Sequence, residues 1–219
     1  MNECQFAYYI HCLAHKLQLT LVATSKEVIS ISQFFTYLTL IINLVGCFCK
    51  RNDQLKIAQT IKVAKIIAID DLETGKGRNQ IGTLKCASDT RWGFHLSYLR
   101  SLVLMFDATC SILENVIEVE NSSSQISEAD GAYDIMTSFE FVFIFHLMRE
   151  LLRITDDLSQ ALQRKSQDIL NAMHLVSLRK ILLQKFRDDG CEPLLRSINS
   201  FCGKYNIEIP NMSARYTIR

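Results

Sequence analysis

The segment Val28–Cys49 reads VISISQFFTYLTLIINLVGCFC, and none of its 22 residues is charged. A run this long and apolar forms either a buried helix in a protein core or a helix that crosses a membrane, with Lys50 and Arg51 as flanking anchors. Gln33 and Asn43 lie inside the run with several Ser and Thr residues. This is an unusually large number of polar residues for a transmembrane helix that has no partner helix. We therefore predict a core helix, and a membrane partner is not expected.

Apolar residues recur at the spacing of amphipathic helices through most of the remaining chain. Because this spacing repeats over long windows, it favours helices over strands. We predict helices from Leu13 to about Lys26, over Asp53–Glu73, from Phe94 to about Val119, and through most of Ser127–Gly203.

Polar or glycine-containing stretches interrupt these helices. Gly75–Asn79 is predicted to be a loop, and Gly190 follows two aspartates as the stop signal of a helix. Asp157–Arg164 is predicted to be a polar surface stretch. Glu120–Gln125 is predicted to be a surface loop and the place of an internal boundary. Thr83–Trp92 alternates apolar and polar residues and is the one candidate strand.

The composition is typical of a soluble, mostly helical domain and excludes several other classes. Hydrophobic residues make up 48% of the 219 residues and charged residues 21%, so the chain can form a core. The 8 Gly and 2 Pro are too few for a many-stranded sandwich or barrel. The net charge of +1 indicates neither a nucleic-acid nor a membrane partner. Eight cysteines without a Cys-x-x-Cys pair, and no secretory signal, predict reduced thiols in the cytosol or nucleus.

Cys12 and His15 form the one candidate metal pair in the sequence. If Cys12 opens a helix, His15 lies three residues further on the same face, where both side chains could bind one ion. Two ligands do not complete a zinc site. The candidates for the further ligands are Cys4, His11, Cys47, Cys49 and His95. The alternative is that Cys12 is a small buried residue and His15 a hydrogen-bonded helix residue.

Arg91 and Trp92 form a second candidate site within the sequence Asp89-Thr90-Arg91-Trp92. An Arg–Trp pair can hold a phosphate and stack on an exposed nucleobase. The alternative is that Trp92 anchors the core and that Asp89 and Arg91 form a local ion pair. Catalytic motifs are absent from the sequence: it has no glycine-rich phosphate loop, no Gly-x-Ser-x-Gly and no His-Glu-x-x-His. No enzyme activity and no small-molecule substrate are therefore expected.

These features together resemble the hAT-superfamily transposases. The run His11–Leu19 resembles the Cys-x-x-His motif of that family, and Asp89–Trp92 resembles its Arg-Trp motif at a matching distance. The helical segments around Ser138–Phe143 and Leu158–Lys165, and the ending Lys204–Met212, are similar to plant zinc-finger MYM-type protein 1-like and TTF-type hAT-like proteins. The resemblance extends over essentially the whole chain.

The resemblance implies a fold and a role for four residues. Transposases of this family cut DNA with metal ions held by three acidic residues in an RNase H-like domain, which a helical insertion domain interrupts. The positions of all three acids fall outside this chain. In the family, the residues that match Cys12 and His15 lie near the active site, and the tryptophan that matches Trp92 stacks on a flipped base.

The sequence thus predicts a mostly α fold. It consists of a partial RNase H-like α/β core over residues 1–92 and an all-helical insertion domain over residues 93–219.

The predicted function is that of a truncated or domesticated transposase-derived protein that is catalytically incompetent, with residual DNA binding through Arg91, Trp92 and His15. A helical module that binds a longer or full-length homologous transposase is the alternative, and a small membrane protein anchored by residues 28–49 is third. No cofactor is expected; zinc at Cys12 and His15 is the one metal considered. The expected location is nuclear or cytosolic.

Overall fold

The computed structural model describes residues 13–46, 92–163 and 169–211, together with Asp53, Ile57 and Thr60. These ranges contain α-helices and no strand, which confirms the mostly α prediction. The helices are α1 (Leu13–Glu27), α2 (Ile29–Gly46), α3 (Trp92–Val119), α4 (Ser123–Met136), α5 (Phe139–Leu162), α6 (Ile169–Asp189) and α7 (Cys191–Tyr205).

The predicted strand Thr83–Trp92 lies outside the described residues except for Trp92, which is the first residue of α3. Most of the predicted helix Asp53–Glu73 also lies outside them. Residues of α2 share one hydrophobic core with residues of α3, α4, α5 and α7. The proposed division into residues 1–92 and 93–219 stays a prediction.

The uncharged helix α2 contributes one face to this core. Phe34, Leu38 and Ile41 are at most 2% exposed, whereas the polar Gln33 and Asn43 lie on the exposed side. Among the described helices, α2 is the one long and apolar enough to cross a membrane by length and composition. The polar residues of the run thus separate from its buried apolar face, as in a core helix of a helical bundle.

Helix α5 is the centre of the bundle. It packs against each of the other six described helices. Ser138 caps its first turn, where the Ser138 hydroxyl oxygen accepts a hydrogen bond of 3.2 Å from the Phe141 backbone N–H. Aromatic rings connect the layers through contacts between neighbouring centroids of 4.9 to 6.4 Å. The rings are those of Phe34 in α2, Phe141 and Phe145 in α5, Phe201 in α7 and Phe106 in α3.

Two stretches that the sequence predicts to be polar and exposed are partly taken up by helices in the structure. The loop expected at Glu120–Gln125 comprises residues 120–122 alone, because α4 begins at Ser123. Helices α3 and α4, on either side of it, pack against each other. The polar stretch expected at Asp157–Arg164 begins within α5, where Leu158 and Ser159 are buried. In both places helix packing extends regular structure into residues whose local composition favours loops.

Glycine and asparagine define the ends of the last two helices. Gly190 joins α6 to α7, as the sequence predicts, and its N–H donates to the Phe186 carbonyl oxygen over 2.9 Å. Asn206 ends α7 in the left-handed conformation, with φ 53° and ψ 35°. The Ile207 N–H then donates to the Cys202 carbonyl oxygen over 2.9 Å, and both side chains are buried. This is the Schellman arrangement, which fixes the chain after α7 on the core.

Candidate functional site

The residues predicted to bind DNA or metal are only partly described. Cys12 and Arg91 lie outside the described residues. His15 lies on the exposed side of α1, and Trp92 is the first residue of α3, with its side chain outside the described part. Helices α1 and α3 contact each other, so His15 and Trp92 belong to neighbouring helices.

Zinc binding stays a prediction. Among the residues that the structure describes, no three His, Cys, Asp or Glu side chains are grouped closely enough to hold a metal ion. Cys12 and the other candidate thiols, Cys4, Cys47 and Cys49, lie outside that part of the chain.

Helices α5, α6 and α7 enclose an apolar groove that sequence reasoning missed. Its volume is about 590 Å³, within the range of ordinary ligand-binding clefts. Five apolar side chains line it: Ile154 from α5, Leu182 and Phe186 from α6, and Pro193 and Leu194 from α7. We call this cleft the α5–α7 groove.

Charged side chains form the rim of the α5–α7 groove. The cations are Arg149, Arg153, Arg179 and Lys185, and the anions are Glu150, Asp157 and Asp189. The cations thus exceed the anions by one, from four against three.

The ion pairs of the rim lie within α5 and between α5 and α6. Both Arg149 and Arg153 contact the same Glu150 carboxylate, at 3.4 Å and 3.1 Å. Arg179 of α6 contacts Asp157 of α5 at 3.4 Å, which connects the two walls. Because α5 contributes two arginines and two carboxylates, its side of the rim is neutral by formal count, and the excess cation belongs to α6.

A buried histidine lies behind the groove wall. His146 is 2% exposed, and its Nδ1 atom is 3.4 Å from the hydroxyl oxygen of Ser197, a groove residue. Its Nε2 atom has no hydrogen-bond partner among the described residues. Burial lowers the pKa of His146 from 6.5 to about 4; Arg149 adds to this effect and Glu150 opposes it. His146 is therefore neutral near pH 7.

The Ser197–His146 contact is a poor nucleophile–base pair. A base with a pKa of about 4 has little tendency to take a proton from a serine hydroxyl. No described carboxylate accepts a hydrogen bond from Nε2 to orient the ring, as a third group does in hydrolase triads. The geometry therefore indicates a packing role for His146 between α5 and α7.

Helix α6 exposes an unusual amount of apolar surface. Leu170 is 80% exposed, Met173 64% and Ile181 63%. These residues have the spacing i, i+3 and i+11, so they share one face of the helix, opposite the buried Ala172. We call Leu170, Met173 and Ile181 the outer face of α6.

The hairpin of α3 and α4 is strongly acidic. Residues 101–138 contain no Lys or Arg and seven acidic residues. All seven are exposed: Asp107, Glu114, Glu118, Glu120, Glu128, Asp130 and Asp134. At the turn of this hairpin, Val119 is 63% exposed between two of these glutamates. Such a surface repels nucleic acid and favours cationic partners.

Two of these features, the burial of His146 and the acidic α3–α4 hairpin, could have been predicted from the sequence. His146 is the lone titratable side chain within the apolar run Phe141–Met148, which is a signal for a buried polar residue. The absence of Lys and Arg from residues 101–138 is also visible in the sequence. The groove had no such signal, because its walls come from three separate helices.

No protein-family model and no solved structure matches this chain. The relationship to hAT transposases therefore rests on the sequence motifs and stays a prediction.

Proposed function

We propose that this chain is a transposase-derived, non-catalytic helical module that works by binding another protein chain, a longer homologue of itself. The observation that supports this proposal is the outer face of α6. Among the described helices, α6 packs against α5 and α7 alone, and its outer face lies away from both.

The apolar residues of that face make binding energetically favourable. Burying a side chain of the size of Leu, Met or Ile contributes about 1.5–3 kcal/mol when it was fully exposed before. The side chains of the outer face, Leu170, Met173 and Ile181, are 63 to 80% exposed. A partner that covers them would therefore obtain most of this burial free energy. A helix from another chain could cover all three, because they lie on one face.

A defined binding experiment tests the proposal. The tagged chain is mixed with a purified full-length hAT-type homologue, and capture is compared with that of a triple variant carrying Leu170→Ser, Met173→Ser and Ile181→Ser. Leu104→Ser is the matched control, because Leu104 is 60% exposed but lies on α3. We expect capture by the wild type and the control and loss of capture by the triple variant. Equal capture by all three, or none by the wild type, contradicts the proposal.

The finer assignment of the fold is part of the same proposal. We place a partial RNase H-like core in residues 1–92 and a helical insertion domain in residues 93–219. The order of Cys12, His15, Arg91 and Trp92 along the chain supports this assignment, as do the helices that follow Trp92. The proposed module does not cut DNA, and its proposed location is nuclear or cytosolic.

Residual DNA binding is a second candidate, favoured by the position of Trp92 at the start of a 28-residue helix. Backbone N–H groups and the helix dipole attract phosphate at such an end. The acidic α3–α4 hairpin would restrict contact to the neighbourhood of Arg91, Trp92 and His15.

This candidate predicts salt-dependent binding that Trp92→Ala weakens. It is tested by titrating the protein against single-stranded and hairpin DNA at two salt concentrations. Absence of binding at the lower salt concentration would remove it.

A further inference from the structure

We propose that the cleft between α2, α4 and α5 binds a primary ammonium group carried on an apolar chain. The volume of this cleft is about 300 Å³, at the lower end of the range for ligand-binding sites, so it suits a small ligand or a single side chain of a larger one. We call it the α2–α5 cleft. It contains no residue of the outer face of α6, so this proposal and the proposed function can fail independently.

The charged side chains that line the α2–α5 cleft are both acidic. They are Asp134 of α4 and Glu140 of α5, and its described lining includes no Lys, Arg or His. Both side chains are exposed, and neither carboxylate forms an ion pair or a hydrogen bond with a residue that the structure describes. Two carboxylates that have no cation beside them favour a cationic ligand.

Aromatic rings form the apolar part of the cleft. Phe34 of α2 and Phe141 of α5 are at most 4% exposed, and their ring centroids are 5.0 Å apart. Tyr37 lies three residues after Phe34 on the same side of α2 and is only partly buried. Aromatic rings attract an ammonium group, and apolar contact is favourable for the chain that carries it. The cleft therefore combines the two kinds of contact that an organic ammonium ion needs.

The hydrogen-bonding capacity of the cleft also fits a primary ammonium group. Such a group has three N–H donors and no acceptor. The carboxylates of Asp134 and Glu140 and the amide oxygen of Gln33 supply three acceptors, and the Gln33 side chain has no hydrogen-bond partner among the described residues. A metal ion fits less well, because the described residues contain no group of three His, Cys, Asp or Glu side chains that could hold one.

Chemical-shift titration of the isotope-labelled full chain by NMR measures the binding. The probes are n-butylammonium, its uncharged counterpart n-butanol, and a lysine derivative with blocked backbone termini. We expect n-butylammonium to bind with a dissociation constant on the order of 1 mM, and n-butanol to bind about tenfold more weakly. Higher salt should weaken the binding of the ammonium ion. Tighter binding of the lysine derivative would identify a protein side chain as the source of the ammonium group, and the reverse order would identify a free amine.

Variants without one carboxylate locate the site. Asp134→Asn and Glu140→Gln keep the shape of the side chain and should each weaken n-butylammonium binding about tenfold. Asp134 lies in the last turn of α4, where the helix dipole disfavours an anion, so its replacement does not weaken the helix. Glu128→Gln is the matched control, because Glu128 is an exposed acid of α4 that does not line the cleft, and it should bind as wild type does.

Three results would overturn the proposal. The first is a wild type whose amide signals in α2, α4 and α5 do not respond to n-butylammonium. The second is n-butanol binding as tightly as n-butylammonium, which would show that charge does not select the ligand. The third is equal binding by wild type, Asp134→Asn and Glu140→Gln, which would place the ammonium ion outside the cleft.

Discussion

Acidification should destabilise this protein through one buried side chain, His146. The imidazole is 2% exposed and is packed between aromatic rings, with centroid distances of 5.4 Å to Phe145 and 5.1 Å to Phe201. A charged imidazolium there would lose its hydration and would face the Arg149 guanidinium. The folded protein therefore holds His146 neutral, with a pKa of about 4 against 6.5 for an ordinary histidine.

The size of the effect follows from these two pKa values. Between pH 6.5 and about 4 the unfolded chain binds a proton at this histidine and the folded protein does not, so the free energy of unfolding falls as the pH falls. Relative to neutral pH, linkage gives a loss of about 2 kcal/mol at pH 5 and about 3 kcal/mol at pH 4. Well above pH 6.5 both states are neutral and the contribution of His146 is constant.

Urea unfolding followed by far-UV circular dichroism measures this loss. Wild type, His146→Gln and His174→Gln are each unfolded at pH 7 and at pH 5, and the change in unfolding free energy between the two pH values is compared. His174 is the matched control, because it is an exposed histidine on α6. We expect His146→Gln to lose about 2 kcal/mol less than wild type on acidification, and His174→Gln to behave as wild type.

The comparison does not depend on the absolute stability of the variant. His146→Gln can be less stable at both pH values and still show the reduced pH dependence. An equal change with pH in wild type and His146→Gln would refute the inference that this imidazole is buried in its neutral form.

Three further outcomes are expected. Gly190→Ala should lower the free energy of unfolding by about 1–3 kcal/mol. The added Cβ would meet the backbone oxygen and the ring of Phe186, and an unchanged Tm would contradict this packing. Asn206→Val should cost about 1–2 kcal/mol because of the positive φ. Asn206→Gly should be tolerated, and equal Tm values for both variants would count against the left-handed cap. Iodoacetamide should modify the exposed Cys191 in the folded protein and spare Cys110, because burial raises the pKa of Cys110 to about 12. Peptide mass spectrometry measures both sites, and equal labelling rates would show that the Cys110 thiol is accessible.

Some candidate sites were found from the sequence, and others were found from the structure alone. The motif residues Cys12, His15, Arg91 and Trp92 were found by local pattern, and their proposed roles stay predictions. The α5–α7 groove and the burial of His146 were found from the packing of helices that are far apart in the sequence, up to 51 positions for the contact between His146 and Ser197. A local pattern contains no information about which side chains meet over such separations.

The sequence by itself determined the helical fold class and several helix ends. Periodic apolar residues, an uncharged run and a glycine after two aspartates are local signals, and they predicted α1, α2, α3 and the stop at Gly190. Only the tertiary structure decided which surfaces remain open. In α6 the apolar residues surround the helix, so their pattern does not select an inner face; contact with α5 and α7 buries Ala172 and leaves Leu170 exposed. The physical reason is that helix formation depends mainly on neighbouring residues, whereas burial depends on the helices packed alongside.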